Sequence, residues 1–514
     1  PTLTMRLRLI NPSGNQLGSA SPEVQISAPA PDDPFLYTPL FMLGLTLDMG
    51  VPGIAGGVSC GSKFATDERR FHGGVRKYDG GAGPVGAGDR WHWGSITKSM
   101  TCTLLAILMD EGLTLPGGAP LTWESSLSNI WPEWAGGMHS RFSQTTLRHL
   151  GSHRSGIFLN SSEWDLAETP ESVDDPVSMR SQIASSVTGR QQLDPDTNDP
   201  TPVGVDFEYR NENFFLLGAA IERLTGERYE VLMQRKLFTP LGITTQGWGV
   251  PPEFGYYQPH GHFREKDFPH GISVLNKELY PPQAPAGALY ITVADMLKYL
   301  RLHAFGCEGS LELSGESLAA LHTPYPQQFT DDAKYALGWG ASLDGMNIGH
   351  NGSIGTYYAR VNVDRSNGIV CATAANIGGR PKATRTQQPA GVSAYGNGAC
   401  NLLHKHLLDR ANSLCLEIPI VGSLAAGTFG SLGLLDSAKV QEWTDPDTFS
   451  VIEDPLFGGI GSDFLPVALY LTDRRWQRSV ARARSPRFTL IKRTGTSQID
   501  LRFRTEPGAV YQLW

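Results

Sequence analysis

The sequence predicts a mixed α/β fold, and three observations carry that expectation. Apolar or alternating runs at Tyr335–Ala341, Tyr357–Val363 and Gly368–Ala375, separated by turn residues, read as sheet. Upstream, a strand-like run at Pro52–Ser59 is followed by segments with helical periodicity, the clearest being Phe214–Thr225 with Gly226 as its stop. From about Leu414 the texture changes. Charge thins, glycine becomes frequent, and hairpin signals at Arg487–Arg493, Gln498–Arg504 and Ala509–Leu513 predict a separate β-rich domain.

The remaining elements follow in order. Residues 1–35 are polar and proline-rich and read as an arm or linker with one short strand, Met5–Ile10. Phe35–Met49 has a helical pattern, and Gly73–Tyr78 reads as the hairpin partner of the Pro52–Ser59 strand. Thr146–Leu150 is a short ordered segment, whereas residues 160–205 are Asp/Pro-rich and aperiodic and read as one long loop. Tyr229–Leu241 predicts a second helix, Trp248–Pro285 is irregular, and Thr292 is placed to cap a helix over Ala294–Leu300. Gly349–Ser353 reads as a turn within the sheet region, and a loop at Gly378–Gly398 leads to a helix at Asn401–Asp409. The division is therefore 1–35, a mixed α/β region 36–412, and a β-rich 413–514.

Composition narrows the function classes. The 514 residues are 40% hydrophobic and 18% charged, long enough for one large domain with appendages. A net charge of −8 without a long basic run argues against nucleic acid as a partner. No uninterrupted apolar stretch reaches the ~18 residues of a membrane span; the nearest, Leu36 to Val58, is cut by Pro39, Asp48 and Pro52. Pro1-Thr2 carries no leader pattern and reads as a trimmed start, which leaves the compartment undecided. The six cysteines are too scattered for a zinc pattern or a small disulfide scaffold.

The stretch most charged with chemistry is Trp93-Gly94-Ser95-Ile96-Thr97-Lys98. Ser95 and Lys98 stand one turn apart at a helix start, so the lysine amine reaches the serine hydroxyl. A serine is a weak nucleophile until a base takes its proton, and a desolvated lysine is such a base. A rival nucleophile, Ser59 in Gly57-Val58-Ser59-Cys60-Gly61, fits Gly-x-Ser-x-Gly by letter. The polar continuation Ser62–Arg70 lacks the helix that this elbow requires, so Ser59 reads as a strand residue. His149 and His153, four apart, have the spacing of a metal clip but no evident third ligand, and no metal or other cofactor is expected.

Two further motifs follow in order, Tyr209-Arg210-Asn211 and His350-Asn351-Gly352. With Ser95–Lys98 the set resembles the serine β-lactamase and penicillin-binding-protein superfamily. The likeness is strongest to its class C-like branch, which also holds D-amino-acid peptidases, amidases and family VIII carboxylesterases. The flanks match as well: Leu147–Gly156, Tyr209–Gly226, Phe238–Gly242 and Pro285–Tyr290 are similar to segments of that branch, and the resemblance spans about residues 42–410.

The resemblance implies two lobes, an antiparallel sheet flanked by helices and a mostly helical lobe, with the active site between them. It makes Ser95 the acyl-accepting nucleophile, with Lys98 and Tyr209 converging on its hydroxyl. A tyrosine beside a lysine ammonium is expected to shift toward phenolate, and which of the two is the base stays open. Backbone N–H groups of Ser95 and Ser353 would form the oxyanion site, Gly352 would allow a close strand approach where a side chain would crowd the substrate, and Asn211 would hold Lys98 and the acyl side. Arg210 stands where serine is common and is expected to face solvent. Asn160 aligns only loosely with an amide that lines the acyl pocket in that branch. His350 departs from the lysine of β-lactamases and offers little charge to a substrate carboxylate at neutral pH. The expectation is thus a serine hydrolase of small-molecule esters, lactones or amides, with weak or no β-lactamase activity. A D-stereospecific peptidase or amidase is the alternative, and an acyltransferase or a non-catalytic binding relative stands behind it. Substrate, oligomeric state and compartment are left open.

Overall fold

The computed structural model describes residues 2–10, 23–27, 33–61, 66–78, 82–168, 174–189, 202–249, 258–262, 281–306, 311, 313–326, 335–378, 395–415, 487–493 and 498–504. Strands β1 (Thr2–Ile10) and β2 (Glu23–Ser27) precede helix α1 (Thr38–Asp48), strands β3 (Gly53–Gly61) and β4 (Thr66–Gly74), and short β5 (Arg90–His92). A 3-10 turn, Gly94–Ile96, runs directly into α2 (Thr97–Asp110). A helical stretch follows: α3 (Leu127–Ile130), α4 (Ser140–Ser143), α5 (Leu147–Gly151), α6 (Ser161–Glu168), α7 (Pro176–Thr188), α8 (Glu212–Thr225) and α9 (Tyr229–Leu232). Next come β6 (Gly247–Trp248), α10 (Ala284–Gly287), β7 (Leu289–Thr292), α11 (Val293–Phe305) and α12 (Gly315–His322). Strands β8 (Gly340–Ala341), β9 (Asn347–Ser353), β10 (Tyr358–Asp364) and β11 (Ile369–Ala375), helix α13 (Tyr395–Cys415) and strands β12 (Arg487–Arg493) and β13 (Gln498–Arg504) complete the order.

The main sheet has the order β4-β3-β11-β10-β9-β8, and every neighbouring pair is antiparallel. It is the antiparallel sheet the resemblance implied, and it joins strands from both sides of the helical stretch. Central β11 is buried along its whole length, which explains its unbroken apolar run. Its residues divide by period two: Ile369, Cys371 and Ala375 enter one core with α1 and α13, and Val370, Ala372 and Ala374 enter the other with α11 and the helical lobe. In β3, a Cβ on Gly56 would press on Leu403 and Leu407 of α13, and one on Gly57 on Val293 and Leu297 of α11. These glycines let a helix approach each face, and Ser59 between the helices is a fully buried strand residue.

A second sheet, β12-β13-β1-β2, pairs the first strands of the chain with the last, β1 running parallel to β13. The strand expected at Met5–Ile10 and the hairpin expected at Arg487–Arg504 both belong to it, while Ala509–Leu513 lies outside the described residues. Cys60 is disulfide-bonded, a pairing its sequence spacing did not disclose, and Cys102, Cys371 and Cys400 are free and buried.

The structure corrects three local expectations. The partner of β3 is Thr66–Gly74, in register from Gly53–Gly74 to Gly61–Thr66, not Gly73–Tyr78. Its polar run Asp67-Glu68-Arg69-Arg70 suits an edge strand facing solvent. The stretch 160–205 is not one loop: it carries α6 and α7, the latter with Asp175 accepting the Ser178 N–H as a cap and Pro176 at its first turn. Gly349–Ser353 is not a turn but part of β9, paired with β10 from Asn347–Asp364 to Ser353–Tyr358. There, cross-strand pairing overrides the local turn signal of glycine and asparagine.

Candidate active site

The Ser95 turn is tied down on both sides. Trp93 donates its backbone N–H to the Leu289 carbonyl and its indole N–H to the Ile291 carbonyl, each at 3.0 Å. Gly94 donates its N–H to His92 Nδ1 at 3.0 Å. Gly94 has φ +52°, and a Cβ there would lie 2.6 Å from the Ser353 amide nitrogen. A Cβ on Gly352 would overlap the Trp93 carbonyl oxygen. The turn and β9 therefore meet backbone to backbone, which brings Ser353 beside the residue preceding Ser95. Gly352 allows the close strand approach expected from the sequence, and the group a side chain there would meet is the Trp93 carbonyl.

Lys98, one turn into the helix, is fully buried. Its Nζ lies 3.0 Å from Ser95 Oγ, 2.8 Å from Asn211 Oδ1 and 2.7 Å from the Ala286 carbonyl oxygen. The rings of Tyr209 and Phe214 cover it, with centroids 5.0 and 5.5 Å away. Burial lowers its pKa to about 7, opposed by the charge of Glu212, which is itself buried. The two carbonyl oxygens can only accept. In the neutral amine they take both N–H groups, and the lone pair is left for the Ser95 hydroxyl.

Tyr209 hydrogen-bonds to Ser95 through its hydroxyl, and burial of that end pushes the phenol pKa up, with the Ser95 bond opposing. The residue as a whole is 40% exposed, so its ring edge reaches solvent. The expected shift toward phenolate is reversed: burial raises the phenol pKa, and the tyrosine keeps its proton. A lysine only about half protonated near pH 7 draws the phenol down less than a full cation would.

His350 is half-buried, and its pKa falls to about 4, through burial first and then the nearby Lys98. Its Nδ1 faces the Asn351 carbonyl at 2.6 Å, which only accepts, so Nδ1 carries the proton. Nε2 is then the acceptor for the buried Tyr335 hydroxyl at 2.8 Å. Both ring nitrogens of His350 are therefore already engaged within the protein. Arg210 is not turned simply to solvent: it pairs with Glu208 and lies 4.2 Å from the Phe158 ring centroid. Asn160 caps α6, accepting from the Glu163 N–H at 2.9 Å and the Ser162 hydroxyl at 2.7 Å.

Ser95, Lys98, Tyr209 and Asn211 thus come together within hydrogen-bonding reach. His350 joins them through Tyr335 and a 6.1 Å ring approach to Tyr209, and Gly352 and Ser353 join through the Trp93–Gly94 turn. Sequence reasoning missed three members: the Ala286 carbonyl, Tyr335 and Glu212. A backbone carbonyl leaves no residue-type signal, and Tyr335 was read only as the start of a strand. Glu212 directly follows Asn211 and was legible as a carboxylate near the lysine. His149 and His153 do not form a clip: His149 Nδ1 accepts the Thr146 N–H in a capping box, and no cluster of three or more potential metal ligands exists among the described residues.

The Beta-lactamase family model matches residues 68–395, well over half of the chain. The chain belongs to the beta-lactamase family, and with it to the serine hydrolases that act on amide and ester bonds. Penicillin-binding protein 4 of Amycolatopsis lactamdurans is 25% identical over 295 residues, covering 55% of this chain and 71% of that protein. Unguisins hydrolase ungD' of Aspergillus campestris (strain IBT 28561) is 23% identical over 298 residues, covering 56% of this chain and about half, 52%, of that protein. Among solved structures, a class C beta-lactamase superposes with a TM-score of 0.55 at 17% identity, covering 74% of this chain and 98% of its own. The octameric penicillin-binding protein homologue from Pyrococcus abyssi gives 0.51 at 21%, covering 74% and 76%. At these identities the superpositions show the fold. No helix among the described residues is long and apolar enough to cross a membrane.

Proposed function

We propose that Ser95 forms a covalent acyl intermediate with an ester or lactone, which water then hydrolyses. The observation that carries this reading is the Lys98 amine, whose three neighbours are two carbonyl acceptors and the Ser95 oxygen. In the acylation step Ser95 Oγ bonds to the substrate carbonyl carbon while its proton passes to the Lys98 lone pair. The resulting oxyanion is held by the backbone N–H groups of Ser95 and Ser353. As the bond to the leaving group breaks, the Tyr209 hydroxyl gives that group a proton and regains one from Lys98. Deacylation repeats the sequence with water as nucleophile. Residues 36–412 make up the catalytic unit in this reading, and the β-rich part is built from both chain ends, since β12 and β13 share a sheet with β1 and β2.

His350 favours esters and lactones over substrates with a free carboxylate, because its imidazole is neutral and both its nitrogens are taken. A D-stereospecific peptidase or amidase is the second reading, in keeping with a family that acts on amide as well as ester bonds. Turnover of short nitrophenyl esters, a D-alanyl anilide and a chromogenic cephalosporin by the protein and by Ser95→Ala tests both. The expected result is ester turnover that vanishes in the variant, with little cephalosporin hydrolysis. Undiminished ester turnover by Ser95→Ala would remove the reading and direct attention to Ser59.

A further inference from the structure

We propose that His153 is the positioning residue that holds Tyr209 against Ser95, an inference that rests on the proton-transfer role of Tyr209. His153 follows α5 and is the one non-glycine residue with positive φ, +60°, among the described residues. A side chain adopts that backbone region only where its surroundings impose it. The constraint here is a clamp on both neighbours of Tyr209. The His153 carbonyl accepts the Glu208 N–H at 2.8 Å, and the His153 Nδ1 accepts the Arg210 N–H at 3.1 Å. Tyr209 is thereby fixed from the residue before it and the residue after it.

The ring supplies a floor as well. Its centroid lies 4.3 Å from that of Tyr209, and the rings of Phe214, Tyr335 and Phe207 surround it at 5.3, 4.9 and 6.0 Å. The tautomer is settled by its partners. Asn213 Oδ1 receives the Ser155 hydroxyl, so Asn213 Nδ2 is the group that donates to His153 Nδ1 at 3.1 Å. With two donors facing Nδ1, the ring proton sits on Nε2, which has no hydrogen-bond partner among the described residues. The imidazole is thus kept neutral as an acceptor, a role that leaves a buried N–H unsatisfied. Such a cost fits a residue retained for what it orients. Ser155 and Asn213 orient the imidazole, the imidazole and its carbonyl orient residues 208–210, and Tyr209 faces the nucleophile.

The test is a set of pre-steady-state acylation rates with phenyl acetate, whose basic phenoxide leaving group draws on a proton from Tyr209, for the full chain, Tyr209→Phe, His153→Leu, His153→Asn and the His153→Leu/Tyr209→Phe double variant. Asparagine tolerates the left-handed backbone and offers a side-chain oxygen near the position of Nδ1, while leucine, of similar size, offers no acceptor. His153→Leu is expected to slow acylation about 100-fold with KM within about threefold, the scale of a misplaced catalytic group. His153→Asn is expected to recover to within about fivefold of the parent, and the leucine change to cost less than about threefold in the Tyr209→Phe background. Equal losses for Leu and Asn, a leucine loss under about threefold, or an undiminished loss in the Tyr209→Phe background would each overturn the proposal. If circular dichroism shows His153→Leu unfolded, His153→Gly takes its place, keeping the backbone and deleting the acceptor. If the double variant is too slow to follow, the contrast with His153→Asn decides. A Tyr209→Phe protein as fast as the parent would instead remove the role of Tyr209 itself.

Discussion

Lys98 Nζ stands 3.0 Å from Ser95 Oγ, with its two other polar neighbours both carbonyl oxygens. That relationship turns a buried amine into a base with a single place to act. Its pKa of about 7, lowered by burial, sets the pH dependence. Below that value the ammonium has no lone pair, so kcat/KM for an ester is expected to rise through a midpoint near 7 and then level off; a profile flat from pH 5 to 9 would contradict this. The stability sign follows as well. The folded pKa lies below the unfolded value of ~10.4, so the unfolded state binds more protons between the two and this group favours folding increasingly as pH rises from about 7. Lys98→Met is expected to abolish ester turnover and to flatten that rise in denaturant titrations.

Gly352 carries a second prediction. A methyl group there would overlap the Trp93 carbonyl, so Gly352→Ala must push β9 away from the Ser95 turn. Displacing one oxyanion donor costs about 10²–10³ in kcat, and a loss of that size is expected in steady-state kinetics with KM little changed. A fully active Gly352→Ala would mean that the Ser353 amide is not part of the oxyanion site.

His350 sets substrate charge. Replacing it by lysine removes the acceptor for Tyr335 and introduces a cation beside Lys98. His350→Lys is expected to shift selectivity toward esters bearing a free carboxylate by at least about tenfold, and to move the acid limb of the pH profile to lower pH. Competition between a neutral ester and a matched carboxylate ester reads the first effect. An unchanged ratio would show that position 350 does not meet the acyl group.

Arg180 in α7 bears on the helical lobe. It is fully buried, paired with Glu222 of α8 and with Glu230, and donates to the Pro281 carbonyl at 2.7 Å. Arg180→Met leaves a buried carboxylate unpaired and is expected to destabilise by about 3–5 kcal/mol in chemical denaturation. Adding Glu222→Gln is expected to recover part of that loss, because it removes the orphaned charge.

How much of this was legible in the sequence divides along physical lines. β11 and α8 announced themselves, since a strand buried on both faces is apolar throughout and a helix against a core keeps its period. The spacing of Ser95 and Lys98 gave their contact, because one helical turn links them. Asn211 and Tyr209 required the family resemblance, since 113 residues separate Asn211 from Lys98 and nothing local says they meet. What stayed hidden depends on tertiary context. The extended state of Gly349–Ser353 comes from pairing with β10. The third ligand of the lysine is the main chain at Ala286. The raised pKa of Tyr209 follows from burial, which no motif encodes, and there the expectation from sequence had the opposite sign, whereas the desolvated Lys98 is as expected. The polar run 160–205 concealed α7, although Asp175-Pro176 is a cap followed by a first-turn proline.

The central claim is that Ser95 becomes acylated. The most direct measurement is intact-protein and peptide mass spectrometry after incubation with a fluorophosphonate, on the parent protein and on Ser95→Ala. One added phosphonyl group per chain, located on the peptide containing Ser95 and missing in the variant, is the expected result. A label on another residue, or one that survives Ser95→Ala, would contradict the account.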